Sequence, residues 1–252
     1  SLPKTVIKLT DEIYQKGEKE KNSPQMLKAY AWRMKYREML NPDSLYAGLK
    51  GLEQWVKQTD QPMDRAILHS LIAGIYANYA ANNQWQLRQR TEIVGQTPSA
   101  DIREWTANMF VEKVRTNVKE ALADSVLLLK TSSRDYIPFV ELGKTSEYYH
   151  HDLYHLLASR GIDALLQVEK LGSGYTETNA VNPVKQDIIA IYGNMLSAYK
   201  AAGLKEGYVL TALNYLEWRR GAERYIRPLQ AKGFPLPDSA ILSKGRGFGI
   251  DG

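Results

Sequence analysis

The chain contains no cysteine. Disulfides, thiol nucleophiles and cysteine-bound zinc are therefore excluded, while cytoplasm and periplasm both stay open. Also missing is any run of eighteen apolar residues, so no segment reads as a membrane-spanning helix. The opening SLPKTVIKLTDEIY lacks the apolar stretch of a signal peptide, and a start at Ser rather than Met suggests a product trimmed from something longer. No segment keeps a period-two alternation long enough for a convincing strand. Neither a G-x-x-x-x-G-K-[ST] phosphate loop nor a G-x-S-x-G nucleophile elbow occurs. Gly247, Gly249 and Gly252 formally spell G-x-G-x-x-G, but the chain ends where the required helix would begin, so the match is void.

What is present is helix after helix across 252 residues, 44% of them hydrophobic. Cap-proline pairs mark starts at Ser23-Pro24, Asn41-Pro42 and Asn182-Pro183. The cap oxygen takes an orphan amide, and proline in the first turn loses no hydrogen bond. Leu45, Leu49, Leu52 and Val56 then fall on one stripe, and the segment after Pro62 carries a broader apolar face for two neighbours. The spacing predicts helices near 4–20, 24–40, 43–58, 62–82, 100–130, 147–170, 184–202, 204–221 and 222–232. Residues 83–100 and 171–183 read as loops. Short connections force antiparallel neighbours, and the first pairs repeat at solenoid-like length. The expected fold is all-α: antiparallel helical hairpins forming an α-α superhelix or irregular bundle. Residues 1–221 make the helical domain, and 222–252 a short helix with an irregular basic tail.

Net charge is +5. From Glu217 onward seven basic side chains face four acidic ones, a bias small enough to be an ordinary solvated surface. Arg88 and Arg90 interleave with Trp85 in WQLRQR, which could stack single-stranded nucleic acid. One short patch without an RNA-binding motif does not carry that reading, and no nucleic-acid partner is expected.

The motif closest to chemistry is HDLYH, residues 151–155. It is one carbon short of H-E-x-x-H, in which two histidines on one helical face hold zinc and a glutamate acts as base. On a helical wheel His151 and His155 lie close enough to share an ion, whereas His150 falls with Leu153 and Leu157 on the apolar face. A third ligand is lacking: no histidine follows His155, and Glu169 lies far along the same helix. The longer zinc signature fails at Ala158 and Ile162, and Asp152 is shorter than the glutamate the mechanism uses. His151 and His155 are weak metal candidates only. No cofactor, metal or catalytic residue is expected. The 16 Tyr and 5 Trp against 4 Phe suit helix–helix edges, where a ring is buried and its polar tip stays wet. As a binding surface, the alternative use, they point to Trp32, Tyr36, Tyr79, Trp85, Arg88 and Arg90.

Several stretches taken together resemble one family. LPKTVIKLTDEIYQKGEKEKNSPQMLKAYAWRMKY (2–36), AILHSLIAGIYANYAANNQW (66–85) and DIREWTANMFVEKVRTNVKEALAD (101–124) are similar to the helical region near the N-terminus of large α2-macroglobulin-like proteins of Bacteroidetes. LLKTSSRDYIPFV (128–140), LYHLLASRGIDAL (153–165) and LKEGYVLTALNYLEWRR (204–220) continue the resemblance in order. These are helix-packing patterns, and residues after about 221 fall outside them. In that pattern Leu153, Tyr154, Leu157, Ala158 and Arg160 mark the helix, and the histidines are no part of it. The resemblance implies a periplasmic or outer-membrane-associated proteinase trap whose β-sandwich domains lie beyond this chain, with anchoring outside it. Without cysteine the chain cannot hold the family's thioester. The expected role is a non-catalytic scaffold or docking module whose partner is a downstream domain of the same polypeptide or another protein. A free-standing helical-repeat adaptor for a peptide or protein is the alternative. A zinc hydrolase using His151, Asp152 and His155 comes third.

Overall fold

The computed structural model describes residues 2–91, 95, 97–143, 146, 150–171 and 182–226. Among them the chain is all-α: α1 (Leu2–Lys19), α2 (Ser23–Leu40), α3 (Ser44–Gln58), α4 (Pro62–Asn82), α5 (Gln84–Arg88), α6 (Ala107–Ala121), α7 (Ser125–Lys130), α8 (Leu153–Val168), α9 (Pro183–Ala202) and α10 (Lys205–Ile226). Two 3-10 turns, Ile102–Glu104 and Ser133–Tyr136, join them. Extended pairing among the described residues is limited to one isolated antiparallel bridge between Ser132 and Asp152. None of these helices is long and apolar enough to cross a membrane.

The helix starts are set locally, though not always by the residues that the cap-proline pattern picks out. Asn22, not Ser23, caps α2 by accepting from the Gln25 amide at 3.2 Å. Ser23 is thereby released to donate to the buried Asp64 carboxylate at 2.5 Å. Asn41 ends α2 and its Oδ1 accepts from the Asp43 amide, so α3 begins only at Ser44. Asn182 behaves as expected, accepting from the Val184 amide at 2.9 Å. The long helix expected near 100–130 is two helices. It starts at Ala107 and breaks after Ala121, because Asp124 caps α7 through the Leu127 amide. Within the expected loop 83–100, α5 forms and buries Leu87. The helix expected over 222–232 is, as far as 226, an unbroken continuation of α10. The remainder of the tail lies outside the described residues, as does most of 171–183.

The chain divides into two compact units, residues 1–188 and 189–252. In the first, α1 and α2 form a hairpin, α3 joins α2 to α4, and α4 packs on α3, α6 and α8. Helix α4 is the hub because it is apolar on several faces: Met63, Ile67, Leu68, Ile72, Tyr76 and four alanines are all buried. A helix apolar all round has to be surrounded. Burying each large side chain contributes about 1.5–3 kcal/mol. Small residues permit the closest approaches. A Cβ on Gly161 of α8 would stand 2.9 Å from Val118 Cγ1 of α6, and one on Gly51 would collide with the Tyr30 hydroxyl, which donates to Gly48 O at 2.8 Å. Asp64 ties three elements together, since Tyr136 also donates to it at 2.7 Å. In the second unit α10 packs its Tyr215 against Tyr192 of α9, rings 5.1 Å apart. The turn between them is set by Gly203 at φ +70, with the Gly203 and Leu204 amides bonded to the Lys200 and Tyr199 carbonyls. Glycine takes this left-handed position without a Cβ clash.

Candidate functional site

Two places in the first unit gather chemistry-bearing side chains. At HDLYH the helical wheel does not apply, because α8 starts at Leu153 and Asp152 is its extended N-cap (φ −112, ψ 162). Residues ahead of the helix pair with a distant strand-like stretch: the Ser133 amide donates to His151 O and the Leu153 amide to Thr131 O, both at 2.9 Å. The Asp152 carboxylate accepts from the His155 amide at 2.8 Å and from His155 Nδ1 at 2.8 Å, and His151 Nε2 stands 3.1 Å from it. Asp152 and His155 are buried. Both imidazoles thus turn a nitrogen to one carboxylate that is already capping a helix. That arrangement makes Asp152 at once the cap of α8 and the acceptor for His155 Nδ1, with His151 Nε2 beside it. Among the described residues no group of three or more His, Asp or Glu side chains is placed to hold a metal ion. His150 does not lie on the apolar face of a helix but ahead of it, with Nε2 2.9 Å from Ser159 Oγ. Its pKa is lowered, chiefly by loss of hydration and then by His155, against the pull of Asp152.

The larger feature is a groove of about 640 Å³ walled by α2, α3, α4 and α8. Its floor follows one ridge of α4. Ser70, Gly74, Asn78 and Asn82 recur every four residues and all line it. Residues four apart on a helix sit one above the other, stepping by about 6 Å along the axis. Ser70 Oγ is buried with no hydrogen-bond partner among the described residues. Across from Gly74 lies Arg160 of α8, whose Nη2 is 4.0 Å from where a Cβ on Gly74 would stand. Neither a hydrogen bond nor an ion pair engages the Arg160 guanidinium among the described residues. Asp163, one turn further along α8, also lines the groove without pairing to it. Both side chains reach solvent, yet the groove walls strip their hydration. This loss lowers the pKa of Arg160 against the pull of Asp163, and raises that of Asp163 against the pull of Arg160. Tyr30, Tyr46 and Tyr79 supply the aromatic lining. The Tyr46 phenol is pushed up to about 12 by burial, then by the Tyr79 hydroxyl, with Arg103 opposing.

Of the six residues named from sequence as a binding surface, the structure brings Tyr79 into this groove. Trp32 and Tyr36 stack on each other on α2, ring centroids 5.8 Å apart, beside the lining stripe and not in it. Trp85 is 71% exposed on α5. Arg88 reaches Gln84 at 3.5 Å, and Arg90 is engaged by the Trp105 carbonyl. Of those six residues, Tyr79 alone lines the groove. Arg160, Ser70, Asn78 and Asn82 were missed. The signal was available in part: a four-residue period of small and polar residues along an otherwise apolar helix. The chain matches no family model, and neither the curated proteins nor the solved structures include a significant match to it.

Proposed function

We propose that this chain is a non-catalytic helical docking module, and that its docking site is the groove between α2, α3, α4 and α8. The observation that carries this reading is the polar ridge of α4 facing Arg160. It combines concavity with side chains whose hydrogen-bonding groups are not used inside the fold, as ligand sites do. The engagement of Asp152 by its helix end and two imidazoles supports the non-catalytic half. The ordered blocks of sequence resemblance support assignment to an α2-macroglobulin-like envelope protein, periplasmic or outer-membrane-associated, whose remaining domains or partners the module would engage. Photo-crosslinking tests the site. A crosslinking residue at Asn78 in the native protein should attach to one defined segment, mapped by mass spectrometry. The same residue at Glu120 of α6, which lines no part of the groove, should not. Equal labelling from both positions, or none from Asn78, would reject the groove as the docking site.

A further inference from the structure

We infer that the groove takes an extended peptide segment, about five residues long, with an acidic side chain bound by Arg160 and the main chain held by Asn78 and Asn82. This rests on the docking reading of the groove. Guanidinium offers five donors and no acceptor, in a planar fork that matches a carboxylate. Arg160 lines the groove at its solvent-facing edge, and among the described residues no hydrogen bond or ion pair engages its guanidinium, so the fork is open to a ligand carboxylate. Gly74 places only backbone beneath the guanidinium, and even a Cβ there would come no closer than 4.0 Å to Arg160 Nη2.

The α4 ridge sets the ligand's conformation. Asn78 and Asn82 are four residues apart, about 6 Å along the helix. An extended peptide advances about 6.6 Å per two residues. Each amide side chain carries both donors and an acceptor, so both can pair with main-chain groups of alternate residues. From Ser70 to Asn82 the ridge runs about 18 Å, room for about five extended residues. Arg160 stands over Gly74, inside this line, with Ser70 beyond it on one side and Asn78 on the other. The peptide therefore continues past the carboxylate, which assigns it to an Asp or Glu side chain and not to a chain terminus. Lys35, Glu38 and Asp163 also line the groove. Their charges reject strongly acidic runs and favour a single carboxylate among uncharged neighbours.

The probes are the blocked pentapeptides Ac-Ala-Ala-Glu-Ala-Ala-NH2 and its Gln counterpart, and the free acid Ac-Ala-Ala-Ala-OH, each titrated into the isotope-labelled full chain by NMR. The Glu peptide should shift the Arg160 Nε–H and the Asn78 and Asn82 side-chain amides saturably. Binding should weaken about tenfold for the Gln peptide and for Arg160→Gln. Because no hydrogen bond or ion pair engages the Arg160 guanidinium among the described residues, Arg160→Gln should melt close to the parent, which keeps the loss from being read as unfolding. Glu and Gln peptides binding equally through Asn78 and Asn82 would overturn the carboxylate assignment and leave the docking groove standing. Tighter binding of the free acid would overturn the side-chain assignment. An absence of saturable shifts at any groove residue would overturn this inference and the docking reading together.

Discussion

Removing the Asp152 carboxylate should destabilise the first unit by about 3 kcal/mol, and the figure can be built from its contacts. As N-cap of α8 it satisfies the His155 amide, and replacing such a cap by alanine costs about 1 kcal/mol. It also accepts from His155 Nδ1 at 2.8 Å, a bond to a charged acceptor worth about 1.5–3 kcal/mol. The imidazole is 1% exposed, so water cannot replace the lost acceptor. Asp152→Asn separates the two contributions. Asparagine caps as well as aspartate and keeps the 3.0 Å Oδ1 contact to His155 Nδ1, but its amide nitrogen cannot accept from Nδ1 where Oδ2 does at 2.8 Å. Asp152→Ala should therefore cost about 3 kcal/mol and Asp152→Asn about half that. Urea unfolding followed by tryptophan fluorescence reads this unit, since Trp32, Trp55, Trp85 and Trp105 of the chain's 5 tryptophans lie in it. A shift in midpoint at constant slope gives the difference directly. Equal losses for the two variants, or an alanine variant within about 0.5 kcal/mol of the parent, would refute the claim that Asp152 is a structural residue.

Three further outcomes follow from the packing. Tyr136→Phe removes one of the donors to buried Asp64 and should cost about 1.5–3 kcal/mol by the same unfolding assay. Gly161→Ala should cost about 1–3 kcal/mol by forcing a methyl onto Val118, and adding Val118→Ala should destabilise by less than the sum of the single changes. His150 has a pKa below its unfolded value of 6.5, so the unfolded chain binds more protons as pH falls through that region. Stability should drop below about pH 6.5 and flatten once pH passes the lower folded-state value, and His150→Gln should remove that part of the slope in pH-dependent unfolding.

Much of the first unit was legible because its helices are specified locally. Capping side chains, prolines in first turns and apolar stripes place α1 to α4 to within a residue or two of where they stand. The misses share a cause. Leucine and alanine continue the apolar period across 121–125, and Asp124 breaks it by taking an amide that periodicity does not report. Residues 150–152 look helical from spacing alone, yet the His151 carbonyl accepts from the Ser133 amide, some twenty positions away in sequence. The same non-locality hid the groove. Arg160 is one polar residue on an amphipathic helix, and only tertiary packing shows that it faces Gly74 across the groove. Aromatic content pointed instead to Trp32, Tyr36 and Trp85, which do not line the groove.

The size and location of the native polypeptide test the account most directly. An antibody raised to this chain should detect, in fractionated cells of the source organism, a band far above 28.6 kDa in the envelope fraction. That is the result expected if the groove serves further domains of a macroglobulin-like protein. A band at 28.6 kDa confined to the cytoplasm would contradict it and make the chain a free-standing adaptor.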